Sequence, residues 1–524
     1  MLVASFTLSS IKLAFMSDIS SNNKRIAKNT LLLYFRMFFL MTVSLYTSRV
    51  VLSALGVEDF GIYNVVGGVV AMFSMLSGSL SAAISRFITY ELGTGNQEKL
   101  KKIFSSAVTI QILLGVIIVL LAETAGIWFL NTKMVISSER LIAANWVLQF
   151  SIFTFVVNLI SVPYNATIIA HEKMSAFAYI SIIEAVEKLA IAYFIMISPM
   201  DRLMYYAILM FLAAVVIRLI YAIYCKQHFK ECTYHFFWDK ELLQNMFGFA
   251  GWNMIGASSA VLREQGGNIV INLFCGPTVN AARGIASQIC NAVQSFVSNF
   301  MTAINPQITK SYASGEYDYM MTLVFQGARL SFYMLLLLSL PILVNTEYIL
   351  TLWLGNVPEH TVLFVQLILL FTMSESISNP LITAMLATGK IRNYQLVVGG
   401  LQMMNLPISY ALLRIGCIPE TVLFVAIGIS QCCLAARLWM LRSMIGLKIR
   451  HYLQKVYCNV IAVFSCASIF PLITTRYLEC NFPNFVLSSF ICITTSIVVI
   501  FYLGCNVQER TFIISKASKF LKRI

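Results

Sequence analysis

The sequence predicts an all-α integral membrane protein with about fourteen transmembrane helices. Of its 524 residues, 59% are hydrophobic and only 11% are charged, whereas a soluble globular protein carries about 25% charged residues. Apolar runs long enough to cross about 30 Å of hydrocarbon recur along the chain. These runs lack the alternating pattern of a membrane β-barrel, and only helices or closed barrels satisfy the backbone in lipid. The composition therefore excludes a soluble protein.

The predicted spans follow one another with short connections. They cover residues 29–53, 62–90, 103–130, 141–170, 176–197, 203–224, 246–274, 280–308, 321–354, 362–386, 394–415, 421–444, 456–473 and 485–503. An even number of spans places both termini on the same side of the membrane. The longest inner connection has only about twenty residues, which is the length of a linker. An enzyme that holds its catalytic groups in a large external loop is therefore disfavoured, and no catalytic residue is predicted.

The distribution of lysine and arginine predicts that both termini are cytoplasmic, because short cytoplasmic loops are enriched in these residues. The formal net charge of +14 is interpreted mainly as this topology signal. Charges spread over many loops without a basic aromatic face disfavour nucleic-acid binding. The predicted inner segments hold Lys24, Arg25, Lys28, Lys99, Lys101, Lys102, Lys226, Lys230, Lys240, Lys390, Arg392, Arg437, Arg442, Lys448, Arg450, Lys455, Lys516, Lys519, Lys522 and Arg523. The outer ones hold Lys133, Arg140, Arg202, Arg283, Arg414 and Arg476.

Cysteine and histidine give no sign of a metal site. The 12 cysteines lie mostly in apolar spans without a CxxC pair, which is typical of small buried hydrophobic residues. The five histidines fall in loops or at span ends, where they cannot serve as intramembrane metal ligands. The residues before Met16 are interpreted as an over-long start or a tail, because no signal-peptide pattern is present. They are excluded from the predicted fold.

An internal repeat predicts two related halves. AISRFITYELGTG, residues 83–95, and AINPQITKSYASG, residues 303–315, share several identities at a constant offset of 220 residues. Each copy lies at the inner end of the second span of a half, which indicates parallel repeats around an axis along the membrane normal. The predicted organisation has a cytoplasmic tail (1–27), an N-lobe (28–225), a linker (226–245), a C-lobe (246–444), two extra helices (456–505) and a basic cytoplasmic tail (506–524).

Arg263 and Glu264 in VLREQGGNIVIN lie deep in the seventh predicted span. An arginine at a membrane-helix centre costs about 2.5–3.5 kcal/mol on insertion scales, so it faces an internal partner or a wet cavity. Adjacent helical residues point about 100° apart, so we expect one of the two to line a cavity and the other to brace a neighbouring helix. A purely structural ion pair is the alternative for Arg263.

Further charges inside spans are candidates for the same cavity. Arg36 is predicted either to line it or to extend to its own membrane interface. Glu184 and Lys188 are four residues apart and can pair on one helix face, or line a cavity and exchange a coupling proton. Glu375 is a buried acid without an evident partner in the sequence. Because arginine is the strongest deep charge, the cavity favours an anionic cargo such as a phosphate or pyrophosphate group.

The stretch SRVVLSALGVEDFGIYNVVGG, together with GWNMIGASSAVLREQGGNIVINLFCGP and AARGIASQICNAVQSFVSNFMTAINPQITKSYASGE, resembles Wzx-type polysaccharide flippases. These belong to the multidrug/oligosaccharidyl-lipid/polysaccharide (MOP) exporter superfamily. The resemblance implies a V-shaped, MATE-like pair of six-helix lobes with two C-terminal helices. It also implies that Arg49 and Arg263 line a cationic cavity for a lipid-linked sugar, with Arg36 as a third candidate. Glu264, Gln265, Glu184, Lys188 and Glu375 are coupling or gating candidates.

The resemblance further implies the substrate and the location. Such proteins flip undecaprenyl-pyrophosphate-linked oligosaccharides across the bacterial inner membrane for O-antigen or capsule synthesis, alongside other polysaccharide-assembly membrane proteins. They are driven by an H⁺ or Na⁺ gradient and need no cofactor, which fits the lack of a GxxxxGK[ST] motif. A multidrug cation antiporter of the same superfamily is the first alternative, and a polysaccharide polymerase or another membrane enzyme is the second.

Overall fold

The computed structural model describes residues 25–514 except 27, 45, 48–49, 52, 57–58, 60–61, 64–65, 67–73, 133–136, 199, 237–238, 355–356, 476–480, 508 and 512–513. Nearly all of the described residues are helical and none of them forms a β-strand, which confirms the predicted all-α class. Between residues 25 and 66 every described residue is helical.

Seventeen helices follow in the described chain. They are α1 (Ser74–Thr94), α2 (Gln97–Leu121), α3 (Ile127–Thr132), α4 (Leu141–Ala170), α5 (Met174–Phe194), α6 (Arg202–His228), α7 (Lys240–Ala313), α8 (Tyr317–Val344), α9 (Thr346–Leu354), α10 (Thr361–Ser376), α11 (Asn379–Thr388), α12 (Arg392–Met403), α13 (Asn405–Arg414), α14 (Thr421–Ile445), α15 (Ile449–Tyr452), α16 (Cys458–Thr475) and α17 (Phe482–Val499). Short π-helical turns join α2 to α3 and α15 to α16, and a third extends α17 to Gly504.

Nine helical runs within the described chain are long and apolar enough to cross a membrane, as expected for a multi-pass membrane protein. Each coincides with a predicted span. They are Gln97–Thr124, Leu141–Ala170, Arg202–His228, Tyr317–Val344, Thr361–Thr388, Arg392–Arg414, Thr421–Ile445, Ile449–Thr475 and Phe482–Gly504. Helix α5 matches another predicted span but concentrates Glu184, Glu187 and Lys188 in two turns. The first two predicted spans, 29–53 and 62–90, fall partly outside the described residues.

The seventh and eighth predicted spans form one continuous helical run, α7, of 74 residues. The predicted break between 274 and 280 is therefore wrong, because helical backbone continues through it. The run nevertheless turns back on itself. The Arg283 guanidinium donates to the Glu264 carbonyl at 3.3 Å, although nineteen residues of straight helix span about 28 Å. A sharp bend among residues with helical backbone therefore replaces the expected loop.

Two compact units divide the chain. Unit 1 comprises the residues up to Met254 together with Thr302–Ser314, and unit 2 comprises Ile255–Met301 and Gly315 onward. Both ends of α7 thus belong to unit 1 and its middle belongs to unit 2. The predicted boundaries of the lobes, linker and tails stay a prediction.

In unit 1, the two copies of the repeat pack against each other. A Cβ atom added to Gly93, near the end of α1, would lie 2.8 Å from the Lys310 carbonyl oxygen near the end of α7. Only glycine allows this approach. Each copy is followed by a glycine with positive φ, namely Gly95 at 76° and Gly315 at 80°. Left-handed glycine is a common helix terminator, so both copies end their helix in the same way.

Glu172 fastens three parts of unit 1 together. Its carboxylate, whose side chain is 1% exposed, lies 2.9 Å from Nε of Arg25 and 2.8 Å from Nζ of Lys310. Gln307 donates a further hydrogen bond at 2.7 Å. Ion pairing and amide donation together compensate the cost of burying this charge. The cluster explains why the end of α7 belongs to unit 1.

A second ion cluster of unit 1 surrounds Arg140, which precedes α4. Its guanidinium bonds to Asp59, with Nε to Oδ1 at 2.8 Å, and to Oδ2 of Asp201 at 2.5 Å. Asp201 also caps α6 by accepting from the amides of Leu203 and Met204. Burial alone would raise the pKa of Asp201, but the bonds from Arg140 and these amides outweigh it and lower that pKa. Asp201 therefore stays ionised and holds the starts of two helices together.

In unit 2, polar bonds attach the last two long helices to the rest. The Tyr333 hydroxyl of α8 donates to the Asn459 side chain of α16, and Asn459 donates to the carbonyl of Leu503 at 2.9 Å. The Tyr452 hydroxyl bonds to the Ile377 carbonyl at 3.0 Å. Interhelical hydrogen bonds of this kind are typical of membrane helix packing. The C-terminal helices are therefore packed parts of unit 2.

Candidate functional site

A small polar cavity of about 110 Å³ lies inside unit 2. The folded-back middle of α7, the C-terminal half of α10 and the start of α14 supply most of its wall. Its lining includes two arginines, two glutamates and several amides and hydroxyls, namely Arg263, Glu264, Arg283, Ser287, Asn291, Gln294, Thr372, Glu375 and Asn405. So many polar groups within helices of a membrane protein mark a functional site by default.

Arg263 points to a carboxylate from another helix. Its Nη1 lies 3.7 Å from Oε2 of Glu375, and both side chains are 21% exposed. Its guanidinium also lies 5.0 Å from the centre of the Phe371 ring, within the range of a cation–π contact. Helix α10 thus provides both partners. At 3.7 Å the ion pair is longer than a charge-assisted hydrogen bond, so the guanidinium keeps hydrogen-bonding capacity.

Arg283 is more deeply buried, at 5% exposure. Nη2 donates to the Glu264 carbonyl, while Nε and Nη1 are buried and have no hydrogen-bond partner among the described residues. Gly267 makes room for this side chain, since a Cβ there would lie 2.4 Å from Nη1. A buried donor without a partner costs about 1–3 kcal/mol, and more when it is charged. Arg283 is therefore prepared to bind an acceptor that enters the cavity.

Glu375 lies between two arginines. It accepts a hydrogen bond from the Ser430 hydroxyl at 2.9 Å. On the side away from Arg263, Nη1 of Arg437 lies 4.0 Å from its Oε1, and the Arg437 side chain is only 1% exposed. One carboxylate thus neutralises two guanidinium groups incompletely. Glu264 supplies a second carboxylate of the lining, so the two lining arginines are matched in number by two glutamates, and the buried Arg437 adds one positive charge beside them. Anions are favoured near that additional charge.

Two of these arginines were assigned to other places from the sequence. Arg283 was predicted in an outer connection and Arg437 in an inner one, and both assignments are wrong because the two residues lie buried in α7 and α14. Charge counting treats any arginine near a predicted span end as a loop residue. The adjacent glycines Gly266 and Gly267 were the sequence feature that could have indicated the burial of Arg283. Paired glycines in a span indicate close approach of another group.

The remaining sequence candidates lie in unit 1. Arg36, Glu184 and Lys188 line a larger cavity of about 450 Å³ together with Tyr63 and Tyr206. Lys188 and Glu184 pair at 2.6 Å within α5, and both side chains remain more than 40% exposed. The Arg36 guanidinium lies 4.3 Å from the Phe177 ring centre. The structure therefore divides the candidates between two cavities, one in each unit.

Some candidates receive no structural description. Arg49 lies outside the described residues, as does the side chain of Gln265. Within the described part of the chain, no group of three His, Cys, Asp or Glu side chains is placed to hold a metal ion. Both arginine-containing cavities are thus built from ordinary polar side chains.

Comparison with known protein families identifies the family of this chain. A profile of the polysaccharide biosynthesis protein family matches residues 26–312, more than half of the 524 residues. The chain belongs to the polysaccharide biosynthesis protein family. A MatE profile also matches, over residues 260–411, which contain most of the unit 2 cavity. No curated protein sequence matches the chain.

Solved transporter structures share the fold. An outward-facing multidrug resistance MATE family transporter of the MOP superfamily superimposes with a TM-score of 0.70 at 13% identity. A MATE structure in the bent conformation gives 0.71 at 12%. A MOP superfamily transporter from Pyrococcus furiosus, reported with a binding pocket of reverse polarity, gives 0.69 at 14%. Each match covers 81% of this chain and 96% of the other. The resemblance to the MOP superfamily predicted from the sequence is thus confirmed.

Proposed function

We propose that this protein transports an anionic lipid-linked sugar across the membrane and that the unit 2 cavity binds its phosphate groups. The observation that carries the proposal is the presence of the half-buried Arg263 and the buried Arg283 in one cavity, where Arg283 has two unused N–H donors. The guanidinium fork suits phosphate oxygens because it can donate two parallel hydrogen bonds. A cavity of about 110 Å³ suits a diphosphate group, and an oligosaccharide would need space beyond it.

Family membership supports the choice of cargo. A polysaccharide biosynthesis protein with the fold of an exporter and a cationic cavity fits the flipping of undecaprenyl-pyrophosphate-linked oligosaccharides. The setting would be the bacterial inner membrane, with cytoplasmic termini, in O-antigen or capsule synthesis beside other membrane proteins of polysaccharide assembly. Alternating access would expose the site to each leaflet in turn. The family match and the exporter fold favour this role over a polymerase.

Glu375 is the residue that would couple transport to an ion gradient. While ionised, it attracts Arg263 and Arg437 and competes with an incoming phosphate. A coupling cation held at this carboxylate would weaken that competition and leave both guanidinium groups available to the cargo. The proposal is therefore proton-coupled transport without ATP, with Na⁺ as the alternative ion. Glu264, which also lines the cavity, is the second acid able to take part.

A multidrug cation antiporter is the second candidate function. The two glutamates of the cavity and the structural likeness to a multidrug resistance MATE transporter favour it. The arginines oppose it, because a cation would have to enter beside two or three guanidinium groups. Cation efflux is therefore the outcome expected if the cargo assignment is wrong.

The test is complementation of a strain that lacks this gene. Wild type should restore the surface glycan, whereas Arg263→Gln, produced at equal membrane level, should restore less than about one tenth of it and accumulate lipid-linked units inside. Arg414→Gln is the matched control, since Arg414 is an exposed arginine at the end of α13. Full surface glycan with the Arg263 variant would refute the assigned role of the cavity. Normal glycan in the deletion strain, with no second exporter present, would direct the assay to cation efflux.

A further inference from the structure

A second cavity of unit 2, of about 450 Å³, lies where the ends of several helices meet. Its wall combines the first turns of α8, the connection between α14 and α15, the start of the Ile449–Thr475 run, and Asn506 after the last long helix. Its charged and titratable lining residues are Asp318, Arg329, Lys448, His451 and Lys455. None of these residues lines the cavity that contains Arg263.

The base of this cavity is rigid. The Arg329 side chain is 6% exposed and pairs with Glu509 at 2.8 Å. It also donates to the Gly504 carbonyl at 3.0 Å and to Asn506 Oδ1 at 3.3 Å. Its Nε is buried and has no hydrogen-bond partner in the described part of the chain. These bonds fix the guanidinium beneath the cavity and place its charge beside that of Glu509.

The imidazole of His451 and the ammonium groups of Lys448 and Lys455 line the side of the cavity. The Phe325 ring lies 5.8 Å from His451 and 5.5 Å from Tyr452, which positions the start of the Ile449–Thr475 run. Lys448 and Lys455 are exposed, and neither forms an ion pair with a described carboxylate. Asp318 opposes them with one negative charge. Since Glu509 is already paired with Arg329, the opening keeps a surplus of positive charge.

The location of the cavity suggests its ligand. The starts of the predicted ninth and thirteenth spans meet there with the ends of the twelfth and fourteenth. The distribution of lysine and arginine places all of these span ends on the cytoplasmic side. Lipids of the cytoplasmic leaflet carry a negative surface charge, and basic pockets between membrane helices at this level bind phosphate headgroups. An oxyanion in the cavity could accept from the ammonium groups of Lys448 and Lys455.

We propose that this cavity binds the phosphate group of an anionic molecule, with a lipid headgroup of the cytoplasmic leaflet as the ligand that the location favours. A bound headgroup would join α8, the α14–α15 connection and the last helix through one anion. The site is separate from the transport cavity, so the proposal does not depend on the cargo assigned above. A soluble phosphate compound would offer the same oxygens and is the other source to be distinguished.

The test measures ligand binding to the purified full-length protein by native mass spectrometry and thermal unfolding in one detergent. Cardiolipin, phosphatidylcholine and inorganic pyrophosphate are the probes. The variant is Lys448→Gln with Lys455→Gln. The matched control is Lys226→Gln with Lys390→Gln, which removes two exposed lysines of the predicted cytoplasmic side that lie outside the cavity. Because all four lysines are exposed, each variant should fold normally.

Wild type and control should bind cardiolipin in preference to phosphatidylcholine, and the Lys448/Lys455 variant should bind it about tenfold more weakly. Pyrophosphate binding that falls in this variant, without selective binding of cardiolipin, would support the site with a soluble ligand. Equal binding of cardiolipin and pyrophosphate by the variant and the control would overturn the proposal.

Discussion

The cavities of the two units use the same residue types in opposite ways. In unit 1, Glu184 and Lys188 neutralise each other within one helix at 2.6 Å, and the Arg36 guanidinium lies on an aromatic ring. In unit 2, the arginines depend on a carboxylate from a different helix, 3.7–4.0 Å away. Arg283 there has two donors without a partner among the described residues. Arg36 keeps one buried donor of its own, Nε, without a partner among the described residues, so the two cavities differ in the number of unused donors, one against two.

This difference shows that charge inside a membrane protein is not by itself a sign of a binding site. An i,i+4 pair forms within any isolated helix and stabilises it by only about 0.2–0.5 kcal/mol. An arginine held without a full set of acceptors costs free energy that a ligand can recover. Function is therefore expected where the protein leaves its donors unsatisfied.

The largest difference should appear between Arg283→Gln and Arg36→Gln. Loss of the Arg283 charge removes charge-assisted bonds to phosphate of about 1.5–3 kcal/mol each, which corresponds to at least about a tenfold loss of transport. Loss of Arg36 removes a contact with Phe177 of about 0.5–1 kcal/mol and should cost less than about fivefold. Transport of a lipid-linked oligosaccharide into proteoliposomes measures both.

Arg283→Lys serves as the control for charge without the guanidinium fork and should give an intermediate rate. If Arg36→Gln impairs transport as severely as Arg283→Gln, the contrast between the cavities is incorrect. Both variants must reach the same membrane level for the rates to be compared.

A smaller but distinct effect should appear in stability. Glu375→Gln leaves Arg437, which is 1% exposed, without its carboxylate and should lower the free energy of unfolding by about 1–3 kcal/mol. Glu184→Gln leaves Lys188, which is 44% exposed, beside a polar cavity and should cost no more than about 0.5 kcal/mol. Thermal unfolding midpoints in one detergent compare the two variants. The double variant Glu375→Gln with Arg437→Met should recover part of the stability that Glu375→Gln loses. Equal destabilisation by Glu375→Gln and Glu184→Gln would contradict the comparison.

The smallest effect is expected from exchanging the pair in unit 1. The double variant Glu184→Lys with Lys188→Glu keeps both charges at i,i+4 spacing, and reversing the order changes helix stability by only a few tenths of a kcal/mol. Transport should stay within about twofold of wild type in the same proteoliposome assay. A complete loss of transport would show that the cavity of unit 1 recognises the position of each charge, and its pair would then have to be counted as a coupling site.

Much of the architecture was predictable because the physical constraints act locally. Nine predicted spans coincide with long apolar helices of the described chain, since crossing hydrocarbon requires a continuous apolar run. The two copies of the repeat also end their helices in the same way. Gly95 and Gly315 both adopt positive φ after a helix end, a conformation that glycine adopts without a steric cost.

The connection within α7 was not predictable in the same way. A glycine, a proline and several polar residues near 276–280 predict a loop, yet the backbone there remains helical. The reversal is visible only because Arg283 reaches the Glu264 carbonyl. Tertiary contacts override local propensity in such a segment, and no periodicity in the sequence reports them.

By itself, the amino-acid sequence determined the membrane class, the apolar spans, the repeated segment and the position of Arg263 within a span, because hydrophobic length and the cost of a buried charge depend on residue type and position along a helix. The tertiary structure decided which charges meet. It paired Arg263 with Glu375, buried Arg283 and Arg437, and left Glu184 with Lys188 in another unit. These pairings join residues up to about 110 positions apart, and an ion pair depends on distances of a few ångströms that helix packing alone sets.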